Sequence, residues 1–244
     1  RASFTDLSLN LTHTFNSKNT VYLTGYASKD KFRFDNDTAY QYGNLNYNVK
    51  WKHIFSNKLY AVVTAGHDHY NYDVRSDFNP VNAFKLGFKI DQSHFRTTFS
   101  YALSNKHLLD FGVNSIYYTL RPGSYQPNSA ASLVTPDELQ KEQALESAIY
   151  IGDRYTVNDN LSLQLGVRYS VYQFLGPYNV AEYQPGIPKD TSTINGTKPY
   201  GKNDVIKNYG GPEYRLSARY ALPDQSSVKI SFNTMRQYIQ MLSN

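Results

Sequence analysis

The sequence predicts an all-β fold, an antiparallel transmembrane β-barrel wall. Three features of its 244 residues carry that reading: long apolar–polar alternation, tight polar turns alternating with long connections, and no long apolar run. The clearest alternation sets Leu161, Leu163, Leu165, Val167, Tyr169 and Val171 against Ser162, Gln164, Gly166, Arg168, Ser170 and Tyr172. A period of two puts the first set on one sheet face and the second on the other, and its length matches the roughly 9 to 11 tilted residues that cross a hydrocarbon layer. The pattern recurs with Leu7, Leu9, Leu11 and His13 against Ser8, Asn10 and Thr12, and with Leu45, Tyr47, Val49 and Trp51 against Asn44, Asn46, Asn48 and Lys50. It returns with Phe95, Thr97, Phe99, Tyr101 and Leu103, and again with Tyr214, Leu216, Ala218 and Tyr220. A soluble sandwich also alternates, but its strands run about 5 or 6 residues, whereas several here need about 12 or more to reach the next turn.

The turns set the topology. Asn16 to Asn19, Phe55 to Lys58, Ser104 to Lys106, Val157 to Asn160 and Pro223 to Gln225 are short and polar, as hairpin connections should be. Connections near 33–38 and 75–83 are moderate, and those at 121–143 and 175–209 are long. Short turns belong on the periplasmic rim and long loops outside. The result is about ten strands, at 3–15, 20–33, 39–54, 58–74, 84–103, 107–120, 144–156, 160–174, 210–222 and 226–238. Asp91-Gln92-Ser93 looks like a sixth turn, but a turn there would put Ser104-Asn105-Lys106 on the long-loop side, so one strand is expected to run through it. Residues 136–149, PDELQKEQALESAI, have a helical flavour and are read as a loop with at most one or two turns before the strand at Ala148 and Tyr150.

Composition agrees once the geometry is considered. Helical spans are excluded because no apolar run approaches about 18 residues. The 40% hydrophobic content and mean hydropathy of −0.58 suit a wall in which only alternate residues face lipid. The 23 tyrosines suit interfacial girdles and a hydrogen-bonding lumen alike. A net charge of +5 is dispersed, with no basic stripe and no zinc-finger or helix-turn-helix organisation, so no nucleic acid partner is expected. The chain has no cysteine, which suits an exported protein and many others. No signal peptide opens it, and it starts and stops on strand patterns, as though both ends continue into a longer chain.

Chemical motifs are scarce. GxSxG, HExxH, Walker and dinucleotide patterns do not occur, so no catalytic residue, cofactor or metal is expected and the chain is read as no enzyme. His67 and His69 share a strand face with Asp73 farther along, but this fits ordinary rim or lumen polarity better than a tetrahedral ligand set. Asp68 and Asp73 lack a calcium-loop context. Glu213, Arg215 and Arg219 share one face and suit a lumenal charge ladder, open either to structural pairing or to a solute. Tyr178, Tyr183, Tyr200 and Tyr209 sit in the 175–209 loop among Gly176, Pro177, Pro185, Gly186, Pro188, Gly196, Pro199 and Gly201. They fit either loop packing or contact with cargo or a lid protein. Arg121, Tyr125 and Gln126 in the other long loop are weaker candidates for the same contact.

Glu146-Ser147-Ala148-Ile149-Tyr150-Ile151-Gly152-Asp153, followed by Leu161 to Ser170, resembles the barrel region of TonB-dependent outer-membrane receptors. Gly176-Pro177-Tyr178 and Ser227 to Asn244 look like the SusC-related receptors of Bacteroidota. The resemblance implies that residues 1–244 are a partial outer-membrane β-barrel domain, about ten strands of a barrel of about 22, whose plug and other N-terminal domains are absent from this sequence. It further implies proton-motive coupling to the TonB-ExbB-ExbD system through that plug, and import of oligosaccharides, peptides or other large nutrients across the bacterial outer membrane. A SusD-like lipoprotein lid and surrounding outer-membrane lipid would be partners. Two other readings stand beside it: a passive outer-membrane porin, which would leak solute without energy, and a structural barrel subunit of a larger assembly, which would hold a partner but no cargo.

Overall fold

A computed structural model describes residues 2–33 and 38–240. The strands are β1 Ala2–Asn16, β2 Asn19–Arg33, β3 Thr38–Ser56, β4 Leu59–Ser76, β5 Phe84–Ala102, β6 His107–Pro127, β7 Asp137–Glu138, β8 Glu142–Thr156, β9 Leu161–Leu175, β10 Tyr178–Tyr183, β11 Ile194–Tyr200, β12 Val205–Ala221 and β13 Ser227–Asn233. Ten of them form one antiparallel sheet in the order β1-β2-β3-β4-β5-β6-β8-β9-β12-β13, with β7 on the flank of β6, while β10 and β11 make a separate hairpin. The predicted 33–38 connection falls mostly on residues 34–37, outside the described residues.

Each strand pairs with its chain neighbour because each short turn returns it directly, and the short turns all lie at one end of the sheet. β5 runs unbroken through Asp91-Gln92-Ser93, as rim alternation demands. Several assignments change, and β12 begins at Val205, not at the expected 210. β6 continues to Pro127, seven residues past the predicted end at 120. The helical-looking stretch forms no helix: Asp137–Glu138 pairs with Ser124 and Tyr125, and β8 begins at Glu142. The last strand ends at Asn233 and does not reach 238. Tyr214 N donates to Thr234 Oγ1 at 2.8 Å, and the following residues cross the sheet face. There the Tyr238 hydroxyl meets Ser170 Oγ at 2.8 Å and its ring stacks on Tyr172 at 5.4 Å. The Arg236 guanidinium lies over Gly211 in this crossing.

The register makes one face apolar across all ten strands. One row runs Leu11, Leu23, Val49, Ala65 and Phe95, and another runs Leu165 to Leu216. These residues stay exposed: Leu9 at 53%, Ile149 at 64%, Ile230 at 73%. So large an apolar surface would be unstable in water and is stable in lipid. Its lower border is aromatic. His13 meets Phe15 edge-on at 4.4 Å, His53 meets Phe55 at 4.4 Å, and Phe99 stacks on Phe111 at 5.3 Å. His107 stacks on Tyr155 at 4.3 Å and bonds Asp153 Oδ2 at 2.6 Å at that border.

The register also gives the tilt. One row passes from Asn19 through His53, Ala61, Phe99, Phe111, Ile151 and Val167 to Tyr214. Asn19 opens β2 at its turn, whereas Tyr214 stands seven residues (221 − 214) before Ala221 at the end of β12. Seven interstrand steps of about 4.8 Å against seven residues of about 3.3 Å give a slope of about 35°, the tilt of a membrane barrel.

Depth follows from position along β9: Val167 lies near the middle of the apolar span and Leu163 near its lower border. Val167→Arg should cost roughly 2 to 4 kcal/mol of folding free energy in lipid, and Leu163→Arg only about 0 to 1 kcal/mol. Equilibrium unfolding in liposomes measures both, and equal costs would place the two residues at one depth.

Candidate functional site

The opposite face is polar and carries the candidate site. Its lower half is charged. Arg168 on β9 faces Glu213 on β12 and reaches it at 3.5 Å through Nε, while its Nη2 reaches Glu146 of β8 at 3.4 Å. Ser170 Oγ, fully buried, donates to Glu213 at 2.6 Å, and the Tyr118 hydroxyl donates to Glu146 at 3.5 Å. A second cluster joins Asp110 to Ser100 at 2.5 Å and to Arg154 at 2.9 Å. The Tyr150 hydroxyl contacts Thr98 at 2.6 Å and the carbonyl of Thr97 at 3.1 Å, lying across Gly112, where a side chain would not fit. Arg96, Asp110, Arg154, Arg168 and Arg215 line a concavity of about 260 Å³ on this wall.

Toward the long connections the same face becomes aromatic. Tyr42 stacks on Tyr72 at 5.0 Å, Phe32 lies 6.1 Å from Tyr40, and Tyr70 meets Phe88 at 6.5 Å. Across the sheet, Tyr172 lies 6.4 Å from Tyr209. Deeper down, Lys50 sits over the Tyr22 ring at 4.2 Å and Asn46 donates to Asp68.

The predicted loop tyrosines are distributed over two elements. Tyr178 and Tyr200 are cross-strand partners in the β10–β11 hairpin, and Tyr183 lies at its far end beside Ile194. Tyr209 belongs to β12, on the polar wall opposite Tyr172. The predicted 175–209 loop is therefore largely a hairpin, not an irregular path. Lys198 sits over Tyr200 at 5.1 Å, Lys189 over Tyr183 at 5.4 Å and Lys207 over Tyr209 at 5.8 Å. Gln140 clasps the hairpin to the other long connection: its Oε1 accepts from Asn179 N at 2.9 Å and its Nε2 donates to Asn179 O at 3.1 Å. At the hairpin tip Asp190 accepts from Ser192 N at 2.9 Å and Ser192 Oγ at 2.8 Å, and these bonds hold its carboxyl below the usual carboxylate range.

The other candidates separate by face. Tyr125 lies opposite Leu86 on the polar wall and near Phe84 at 5.3 Å. Arg121 lies on the outward face, bonded to Asp91 at 3.2 Å, and so does not converge with Tyr125. Glu213, Arg215 and Arg219 do share the polar face, but the cation beside Glu213 is Arg168. His67 and His69 face outward, with His69 bonded to Asp91 at 2.6 Å and His67 to Ser93 at 2.9 Å. Asp73 pairs with Lys85 at 3.6 Å, so it does not complete a set with them. Arg168 and Glu146 went unnoticed as site residues because their convergence depends on register between segments far apart in sequence; only the polar alternation of β8 and β9 hinted at it.

With this geometry in place, the comparisons are consistent. Residues 2–243 match the TonB dependent receptor-like β-barrel family, and the chain belongs to it. It is therefore a stretch of outer-membrane β-barrel wall of that receptor-like family. No curated protein sequence matches the chain. Among solved structures, the copper transporter OprC superposes with a TM-score of 0.69 at 10% identity, covering 96% of this chain and 36% of that one. The ferric-catecholate import receptor Fiu from E. coli K12, in its closed form, gives 0.61 at 12% identity over 95% and 43%. BauA, the ferric preacinetobactin receptor from Acinetobacter baumannii, gives 0.56 at 12% over 91% and 45%. At these identities the likeness is one of fold, and the chain spans less than half the length of each.

Two outcomes follow. Glu213→Ala leaves Ser170 without its acceptor and Arg168 with one carboxylate, and should cost about 1 to 3 kcal/mol in liposome unfolding. Because the Asp190 carboxyl is more acidic folded than unfolded, the tip contacts it makes are complete above its unfolded value and are lost as pH falls through its folded one. The protection factor of the Ser192 amide, corrected for intrinsic exchange, should fall over that acidic window, and Asp190→Ala should remove that fall.

Proposed function

We propose that this chain is the larger part of one side of the barrel in an energy-coupled outer-membrane importer of large nutrients. Residues 1–244 act as a partial barrel domain of a longer receptor whose plug and other N-terminal domains lie outside this sequence. Coupling runs through that plug to TonB-ExbB-ExbD. The observation that carries the reading is the division of the polar wall: tyrosines toward the long connections, and a charged band of Glu146, Arg168, Glu213 and Arg215 below. Aromatic faces with hydroxyl edges suit sugar rings and peptide side chains, giving many modest contacts that can be released one after another. The hairpin tyrosines Tyr178, Tyr183 and Tyr200, with Tyr209, form the outer contact for cargo or for a SusD-like lipoprotein. Glu213, Arg215 and Arg219 belong to the lumenal network beneath. Tyr125 joins the cargo side, whereas Arg121 contributes to the lipid side.

The wall forms no covalent bond with cargo, and the receptor is no enzyme. The SusC-related assignment and oligosaccharide or peptide cargo rest on the sequence resemblance and the tyrosine-rich wall. A second reading, uptake of a metal complex, is favoured by what the structural neighbours carry, copper for OprC and iron complexes for Fiu and BauA.

Titration of the full-length receptor with oligosaccharide, peptide and ferric-siderophore panels separates these readings. Tyr178→Ala combined with Tyr183→Ala should weaken capture of the bound class roughly 10- to 30-fold, at about 1 kcal/mol per ring, while barrel assembly is unchanged. Unaltered affinity would remove these rings from the cargo path, and steady leakage through the intact receptor without energy coupling would favour a passive porin.

A further inference from the structure

The β10–β11 hairpin stands outside the main ladder, and a two-stranded sheet keeps both of its edges. Parity decides which groups each edge shows. Along β10 the N–H and C=O of successive residues point alternately toward β11 and away from it. Asn179 points away, because both of its main-chain groups go to the Gln140 carboxamide, at 2.9 Å and 3.1 Å. Gln184 points inward, since its N–H donates to Thr193 O at 2.9 Å. The two ends agree, so Ala181 and Tyr183 face the same edge as Asn179. The irregularity between Glu182 and Tyr183 leaves this parity intact, because the extra residue, Asn195, belongs to β11.

The two edges are not equivalent. Pro199 and Thr197 pair with Asn179 and Ala181, so they show their main chain on the far edge, where Pro199 has no N–H to give. Proline guards an edge against the addition of another strand. The β10 edge has no such guard. Among the described residues, the outward main-chain groups of Ala181 and Tyr183 have no hydrogen-bond partner. They continue the Asn179 rung at about 6.6 Å per step. Gln140 already bonds that first rung through the two groups of its carboxamide, as the facing residue of an antiparallel strand does. A carboxamide has the donor and the acceptor of one peptide group.

We propose that the β10 edge from Asn179 to Tyr183 takes an extended peptide as an added antiparallel strand, with the Gln140 carboxamide marking where that strand ends. The proposal rests on the importer reading above and selects peptide among its cargo classes. A sugar ring or a metal complex carries no repeating N–H and C=O at this spacing, so the edge tells them apart from a peptide. Main-chain pairing accepts many sequences, and neighbouring side chains set the preference. Ala181 leaves room between Asn179 and Tyr183 for a bulky side chain. Lys189, over the Tyr183 ring at 5.4 Å, makes no ion pair among the described residues and suits an acidic one. Asp190 beside it is held in the tip by Ser192.

The test titrates the full-length receptor, in nanodiscs, with a heptapeptide of threonine and valine carrying a central aspartate, and with its two forms N-methylated on alternate amides. An added strand bonds through every second residue, so one methylated form should bind about 25-fold more weakly and the other as the parent does. Ala181→Pro removes an edge donor without touching the β10–β11 bonds, and should weaken binding of the parent about fivefold. Thr197→Pro, on the far edge, should leave it unchanged. Equal binding of the two methylated forms, or an unaffected Ala181→Pro receptor, would overturn strand addition and leave the importer reading in place. So would a receptor that binds sugar or ferric complex but no peptide, whereas one that binds none of the three classes would overturn both.

Discussion

Everything in this wall depends on an unbroken backbone ladder. In hydrocarbon no water replaces a missing partner, so each N–H and C=O within the band must be bonded to a neighbouring strand. The register shows how strictly this holds. Shifts occur between Thr14 and Asn16, between Ile54 and Ser56, between Gly87 and Lys89, and between Val205 and Lys207. The first two adjoin the short turns and the last two lie toward the long connections, so none interrupts the apolar rows. Irregularity is placed where water can satisfy what the ladder leaves open. Because no residue is inserted within the band, side-chain parity survives from β1 to β13, and one face can be written for lipid and the other for the lumen.

That parity explains what was legible in the sequence. Alternation such as Leu161 to Val171 identifies a strand, its length and its two faces without any partner, because the period belongs to the strand itself. The turns then order the strands, and the same logic carries β5 through Asp91-Gln92-Ser93 despite its turn-like composition. Relations across the sheet were not legible. Glu146, Arg168 and Glu213 meet only because β8, β9 and β12 pair in one register, and nothing local to any of them announces it. The β10–β11 hairpin was hidden by its prolines and glycines, although Tyr178, Val180 and Glu182 alternate through it. The early end of β13 was hidden for the opposite reason: its alternation looks as if it continues, but Tyr238 finds partners across the polar face, Ser170 and Tyr172, that an extended strand would forgo.

The two faces use charge differently. On the lumenal side, carboxylates and guanidiniums are shared at two points, with Arg168 between two acids and Asp110 between Ser100 and Arg154. On the outward side, lysines stand free above the apolar rows, where water and headgroups keep isolated charge inexpensive. Arg121 looked in sequence like a neighbour of Tyr125, yet the two belong to these opposite environments. Four residues and a local shift in register separate a side chain facing the membrane from one facing the passage.

The slope of the hydrogen-bonded rows has a consequence for the size of the whole barrel. A drop of about one residue per strand, continued around about 22 strands, closes a cylinder roughly 40 Å across. Side chains reach only a fraction of that radius, so a wall of this pitch cannot fill its own interior. In the longer receptor proposed above, a cylinder of that width would leave room for a folded domain seated against the charged lower band.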